Sequence, residues 1–101
     1  MITVGSWERM DILSFAATIT ADRADPVAVA VNVSALLAWV ELAAGEDDAR
    51  VRLRALSQCR SACTNADRSG PRPWMDDPAE FLRRAGVLYA FATAGTDEEA
   101  S

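Results

Sequence analysis

The chain has 101 residues, enough for one modest hydrophobic core and too few for two. Half of them are hydrophobic, but twenty of these are Ala, so twenty-nine bulky side chains must build the interior. Ten Arg against fifteen Asp and Glu give a net charge of −5 and an isoelectric point near 4.5, which disfavours a general binder of polyanions.

The complete lack of His removes the commonest general base and the commonest zinc ligand together. Lys is also missing, and Arg-only basicity beside one-fifth Ala is the codon bias of a GC-rich genome, which points to a bacterium of that kind or one of its phages. Met1 to Arg9 lacks the basic-then-apolar order of a signal peptide. With no such signal, Cys59 and Cys63 are expected to be reduced thiols in a cytoplasm.

Punctuation divides the chain into four predicted helices. The first runs from about Ser6, a capping residue, to Asp22, with Met10, Leu13, Phe15, Ala16, Ala17 and Ile19 recurring at helical spacing. The second is framed by Asp25-Pro26, an N-cap followed by Pro at the first helical position, and by Gly45 as its stop. Alternation of Val27, Val29, Val31 and Val33 has the period of a strand, but the Ala between them and the Ala35 to Ala44 run favour a helix.

The third helix opens on Glu46, Asp47 and Asp48 at the positive end of its dipole and fades near Asn65, with Ala49, Leu53, Leu56, Cys59 and Cys63 along its apolar side. Asp67 to Trp74, crowded with Gly70, Pro71 and Pro73, reads as a loop. The fourth helix starts at Asp77-Pro78-Ala79-Glu80, an N-cap, an N1 Pro and a capping-box Glu, and runs to about Ala94 with Gly95 as its stop. The expected fold is therefore all-α, a small four-helix bundle-like single domain over residues 1–95 with a central apolar helix at about 25–45. A short acidic tail, frayed in expectation, covers 96–101.

The second helix is the most informative segment. On a helical wheel Glu41 falls nearly opposite Asn32, with Val27, Val31, Ala38 and Leu42 on one flank and Val29, Val33, Leu36 and Val40 on the other, so no polar face exists. Three neighbouring helices leave part of that circumference uncovered, and a second chain is its natural completion, which makes the protein an expected homo-oligomer. The stripe of Asn32, Ala35 and Trp39, with Ala28, is the candidate contact: small residues beside one large anchor. A membrane span is disfavoured by Asn32, Ser34 and Glu41 and by acidic flanks. Trp74, on the loop, is either a lid over the core or a recognition residue, and it joins the contact candidates. Gly86, Ala90 and Ala94 are expected to form an intramolecular seam.

Catalytic chemistry is thinly represented. Cys59 and Cys63, four apart, share a helix face, but two thiolates with no His and no third Cys fall short of a metal site and read as packed apolar side chains. No Ser has a His to activate it, no phosphate-binding glycine loop exists, and paired carboxylates stand at helix starts where capping explains them. No enzymatic activity, metal or cofactor is expected.

The leading expectation is a small acidic protein-binding adaptor or inhibitor, encoded by a phage or mobile element, that occupies a partner's surface. The alternative is a DNA-binding regulator of helix-turn-helix type reading through Arg50, Arg52 and Arg54. Against it, Glu46 and Asp47 are spaced to pair with Arg50 and Asp48 with Arg52, making a solvated ion-pair face.

Overall fold

A computed structural model describes residues 4–66 and 72–100, with side chains described for 4–65 and 72–94. Four helices follow one another: α1 (Ser6–Thr18), α2 (Pro26–Glu41), α3 (Glu46–Ala66) and α4 (Pro78–Ala100). No strand occurs among the described residues, so the all-α fold class holds and the strand-like valine alternation is helical.

Direction follows from the contacts. Ser14 of α1 meets Arg60 of α3, while Val4 and Glu8 share a pocket with Glu46 and Ala49, so α1 and α3 run the same way. Cys59 faces Phe81 and Asp48 faces Tyr89, which sets α4 antiparallel to α3. The result is an up-down-up-down bundle in which α1 lies on α2, α3 lies on α4, and α2 touches all three others. Its centre is filled by Phe81, Ile12, Ile19, Leu36, Leu56 and Val40, each fully buried.

Local chemistry sets the helix starts. Asp25 accepts the Val27 N–H (3.0 Å) ahead of Pro26, and Asp77 accepts the Glu80 N–H (3.1 Å) ahead of Pro78. Glu80 does not close a capping box. Its carboxylate turns to Arg83 (2.8 Å) and Arg84 (2.6 Å), where two guanidinium charges outbid one backbone N–H and hold the carboxyl down at about 2. At α1 the cap is Gly5, one residue before the expected Ser6, and no side chain caps it.

The helix ends depart more from the expectation. The first helix stops at Thr18 instead of Asp22, because Ile19 and Thr20 tighten onto the carbonyls of Ala16 and Ala17 and the Ile19 carbonyl is taken by the Asp76 N–H (2.6 Å). Asp76 holds a left-handed backbone, φ 56°, which Asp tolerates better than most residues, and its carboxylate accepts the Ala21 N–H (3.0 Å). A turn distant in sequence thus pins the α1–α2 connection.

Gly45 is not the stop of α2. That helix ends at Glu41, and Gly45, with no positive φ, supplies the carbonyl that accepts the Ala49 N–H (2.9 Å) to open α3. Asp48 reaches back to the Ala44 N–H (3.0 Å) and fixes the corner. Gly95 likewise fails to end α4, which continues to Ala100 across the expected tail, since neither a left-handed glycine nor a proline interrupts it. The seam expected of Gly86, Ala90 and Ala94 does not form: Ala90 and Ala94 face solvent and a Cβ on Gly86 would meet nothing within 4 Å. The Asp67 to Pro71 part of the expected loop lies outside the described residues.

Both cysteines are free and buried, as the packed reading has it. Cys59 points its Sγ at the Phe81 carbonyl (3.7 Å), and burial first, then the neighbouring Cys63 sulfur, pushes its thiol up to about 12. The native protein is therefore expected to leave Cys59 unreactive toward a thiol-titrating disulfide reagent at pH 8, with reaction appearing on unfolding. Replacing both cysteines by Ala should lower stability by about 1 to 3 kcal/mol, measured by urea unfolding.

Candidate functional site

The stripe expected to meet another chain turns largely inward. Asn32 is 4% exposed, and its Nδ2 donates to Thr20 Oγ1 (2.8 Å), whose hydroxyl donates in turn to the Ala16 carbonyl (2.6 Å). The chain of bonds satisfies a buried amide and ties α2 to the end of α1. Ala35 is half-buried, and Trp74, 5% exposed, is the lid over the core. Neither Asn32 nor Trp74 offers its side chain to a partner of the folded monomer.

Trp39 is also engaged within the chain. Its ring stands edge-on to Tyr89 at 5.8 Å, and the Arg52 guanidinium lies 4.9 Å from the Trp39 ring and 4.6 Å from that of Tyr89. Arg52 Nη1 donates to the Trp39 carbonyl (3.0 Å), and its Nε donates to Asp48 Oδ2 (3.4 Å). Tyr89 donates its hydroxyl to the other Asp48 oxygen. One guanidinium thereby joins the end of α2, the first turns of α3 and the middle of α4, with its side chain only 14% exposed.

This clamp divides the three arginines expected of a DNA-reading helix. Arg50 and Arg54 are exposed and lie on the side of α3 opposite Arg52, so the three do not share a face. Asp47 meets Arg50 (3.6 Å) and Asp48 meets Arg52 as the spacing predicts, whereas no ion pair joins Glu46 to Arg50 among the described residues.

A groove between α1 and α2 remains open, a cleft of about 650 Å³ floored by Ile12 and Val29 and walled by Leu13, Pro26, Val33 and Leu37. Because α1 and α2 are antiparallel, Arg9 and Leu37 mark one end and Arg23 and Pro26 the other. Neither Arg9 nor Arg23 meets a carboxylate among the described residues; Arg9 donates its Nε to the Val4 carbonyl (3.3 Å). Beyond the groove the outer side of α2 carries one charge, Glu41 at its last position, with Val27 (69%), Val31 (62%) and the C-cap Leu42 (71%) exposed. On α1, Trp7 and Met10 are exposed as well. Exposed apolar side chains in such density exceed what scattered surface residues explain.

Sequence reasoning named neither Arg9 nor Arg23, and it placed Leu13 and Val33 in periodic rows without seeing that they face each other. The usable signal was the missing polar face of α2, which says that a side stays open but not which one. No helix among the described residues is long and apolar enough to cross a membrane, and no group of three or more His, Cys, Asp or Glu is placed to hold a metal among them.

Hydrogen bonds from Tyr89 first, then from the Ala44 N–H and Arg52, hold the Asp48 carboxyl below its ordinary value of 3.8. A carboxylate with a depressed folded pKa contributes stability that is complete above the unfolded value and is lost as pH falls through the folded one. Below about pH 4 the wild type should therefore lose stability more steeply than Asp48→Asn, which has no such charge to protonate. Thermal unfolding of both proteins between pH 7 and 2 measures the difference, and Arg52→Ala should cost about 2 kcal/mol at pH 7.

Compared with known protein families, with characterised proteins and with solved structures, the chain has no significant match to any.

Proposed function

We propose that the protein is a protein-binding module that receives an amphipathic helix of a partner in the α1–α2 groove. The observation that carries this reading is the groove itself: apolar walls from Leu13, Pro26, Val33 and Leu37, with a guanidinium that meets no carboxylate among the described residues at each end. Helix-in-groove recognition needs an apolar trough of several turns, and α1, at 13 residues, is about 20 Å long. Arg9 and Arg23 select the partner: its helix carries acidic residues near both ends of its apolar face. In a chain of net charge −5, two arginines without carboxylate partners at the ends of an apolar trough are a local reversal of sign.

An adaptor or inhibitor acting by surface occupation fits this geometry, and a phage or mobile-element origin accords with the size and codon bias. The outer row of Val27, Val31 and Leu42 extends the proposal to self-association, now placed on this row and not on the Asn32 stripe. Sedimentation equilibrium at micromolar concentration should show a mass above 10.9 kDa for the wild type and a monomer for Val31→Glu.

The groove reading is tested by affinity capture from a GC-rich bacterial lysate using the wild type, Leu13→Glu/Val33→Glu, and Arg83→Gln as a surface control. A protein retained by the wild type and the control, and weakened about tenfold or more by the groove variant, is the expected outcome. Retention unaffected by the groove variant contradicts the proposal.

A further inference from the structure

The opposite side of α1 carries a second feature that the groove does not use. Arg50, Leu53, Arg54, Ser57 and Arg60 recur at i, i+3, i+4, i+7 and i+10 and therefore share one face of α3. That face meets Asp11, Ser14 and Phe15 of α1 across a cleft of about 470 Å³. We propose that this cleft binds a compact phosphate-bearing anion, with Arg50, Arg54 and Arg60 as its ligands.

Each guanidinium is available in a different way. Arg54 is exposed and makes no hydrogen bond or ion pair among the described residues. Arg60 is held in place without being neutralised: its Nη1 donates to Ser14 Oγ (3.0 Å), and its guanidinium lies 5.2 Å from the Phe15 ring. A cation fixed by a hydroxyl and a π face keeps its charge and has its rotamer settled before a ligand arrives. Arg50 meets Asp47 at 3.6 Å, with both side chains almost fully in water, a pair that contributes little and yields readily to a better acceptor. On its other side Arg50 also borders a small pocket with Glu8 and Glu46.

Charge and shape name the ligand class. Three guanidinium charges against the Asp11 carboxylate leave two positive charges lining the cleft, which balance a phosphate dianion and most of the charge of pyrophosphate. Guanidinium forks pair with phosphate oxygens two at a time, and the hydroxyls of Ser14 and Ser57 add donors for the same oxygens. The overall charge of −5 repels a long polyanion, but at physiological salt fields fall off over about 8 Å, so a small anion inside the cleft experiences chiefly these arginines.

The test is calorimetric titration of the full chain with inorganic pyrophosphate at physiological ionic strength, with circular dichroism verifying that each variant is folded. Saturable binding is expected, weakened several-fold in Arg54→Gln, whose side chain has no contact to lose, and about tenfold or more in Arg54→Gln/Arg60→Gln. Arg83→Gln, on α4 and outside the cleft, should bind as the wild type does. Absence of saturable binding by the wild type, equal affinity in Arg54→Gln and the wild type, or an equal loss in Arg83→Gln overturns the proposal. Mixed-sequence duplex DNA bound more tightly than pyrophosphate overturns it too.

Discussion

Between Asp25 and Glu41 the chain carries no charged side chain, and the rest of the molecule is arranged around that fact. A helix without a polar face has no side that prefers water, so burial is decided by how many neighbours can reach it. Three can, and they take Val29, Asn32, Leu36 and Val40 into the core. Each large apolar side chain removed from water in this way stabilises the fold by roughly 1.5 to 3 kcal/mol. Val27, Val31 and Leu42, on the far side, gain nothing of the kind within one chain. The α1–α2 groove is the boundary between the two sides.

A helix that could rotate without meeting a charged face needs polar fixtures to hold its orientation, and α2 has two, one near its middle and one near its end. Near its middle, Asn32 bonds to Thr20, and Thr20 to the last turn of α1. Near its end, the Arg52 guanidinium bonds to the Trp39 carbonyl and is covered by the Trp39 and Tyr89 rings. Rotating α2 by one residue would leave the Asn32 amide unpaired in the interior and strip the cation of its acceptor, each costly in a low-dielectric setting. Apolar packing with so much Ala is permissive about register, and the two polar fixtures are not. They fix which side of α2 is left open.

What the sequence disclosed was local. Asp25-Pro26 and Asp77-Pro78 marked helix starts because a cap and its N–H partner lie within three residues, and the acids of α3 marked another. Helix ends were hidden, since α1 is ended by a carbonyl bond to Asp76, more than fifty residues away, and Gly45 caps the start of α3 where a stop for α2 was expected. The surplus of apolar surface on α2 was readable from its wheel, but its address was not. Asn32, Trp39 and Trp74 carry the size and polarity of contact residues and are used internally, because partners for them arrive from α1, α3 and α4. The Arg9 and Arg23 ends of the groove depend on the antiparallel pairing of two helices, a relation that no sequence window contains.

The most direct measurement is hydrogen–deuterium exchange of the protein alone and saturated with the helix-bearing partner proposed for the groove. Occupation of the groove should slow exchange at backbone amides within 9–16 of α1 and 27–38 of α2, while amides of α3 across 50–60 remain as they are in the free protein. Protection confined to α3 or α4, with α1 and α2 unchanged, would contradict the assignment of the open side of α2 as the recognition surface.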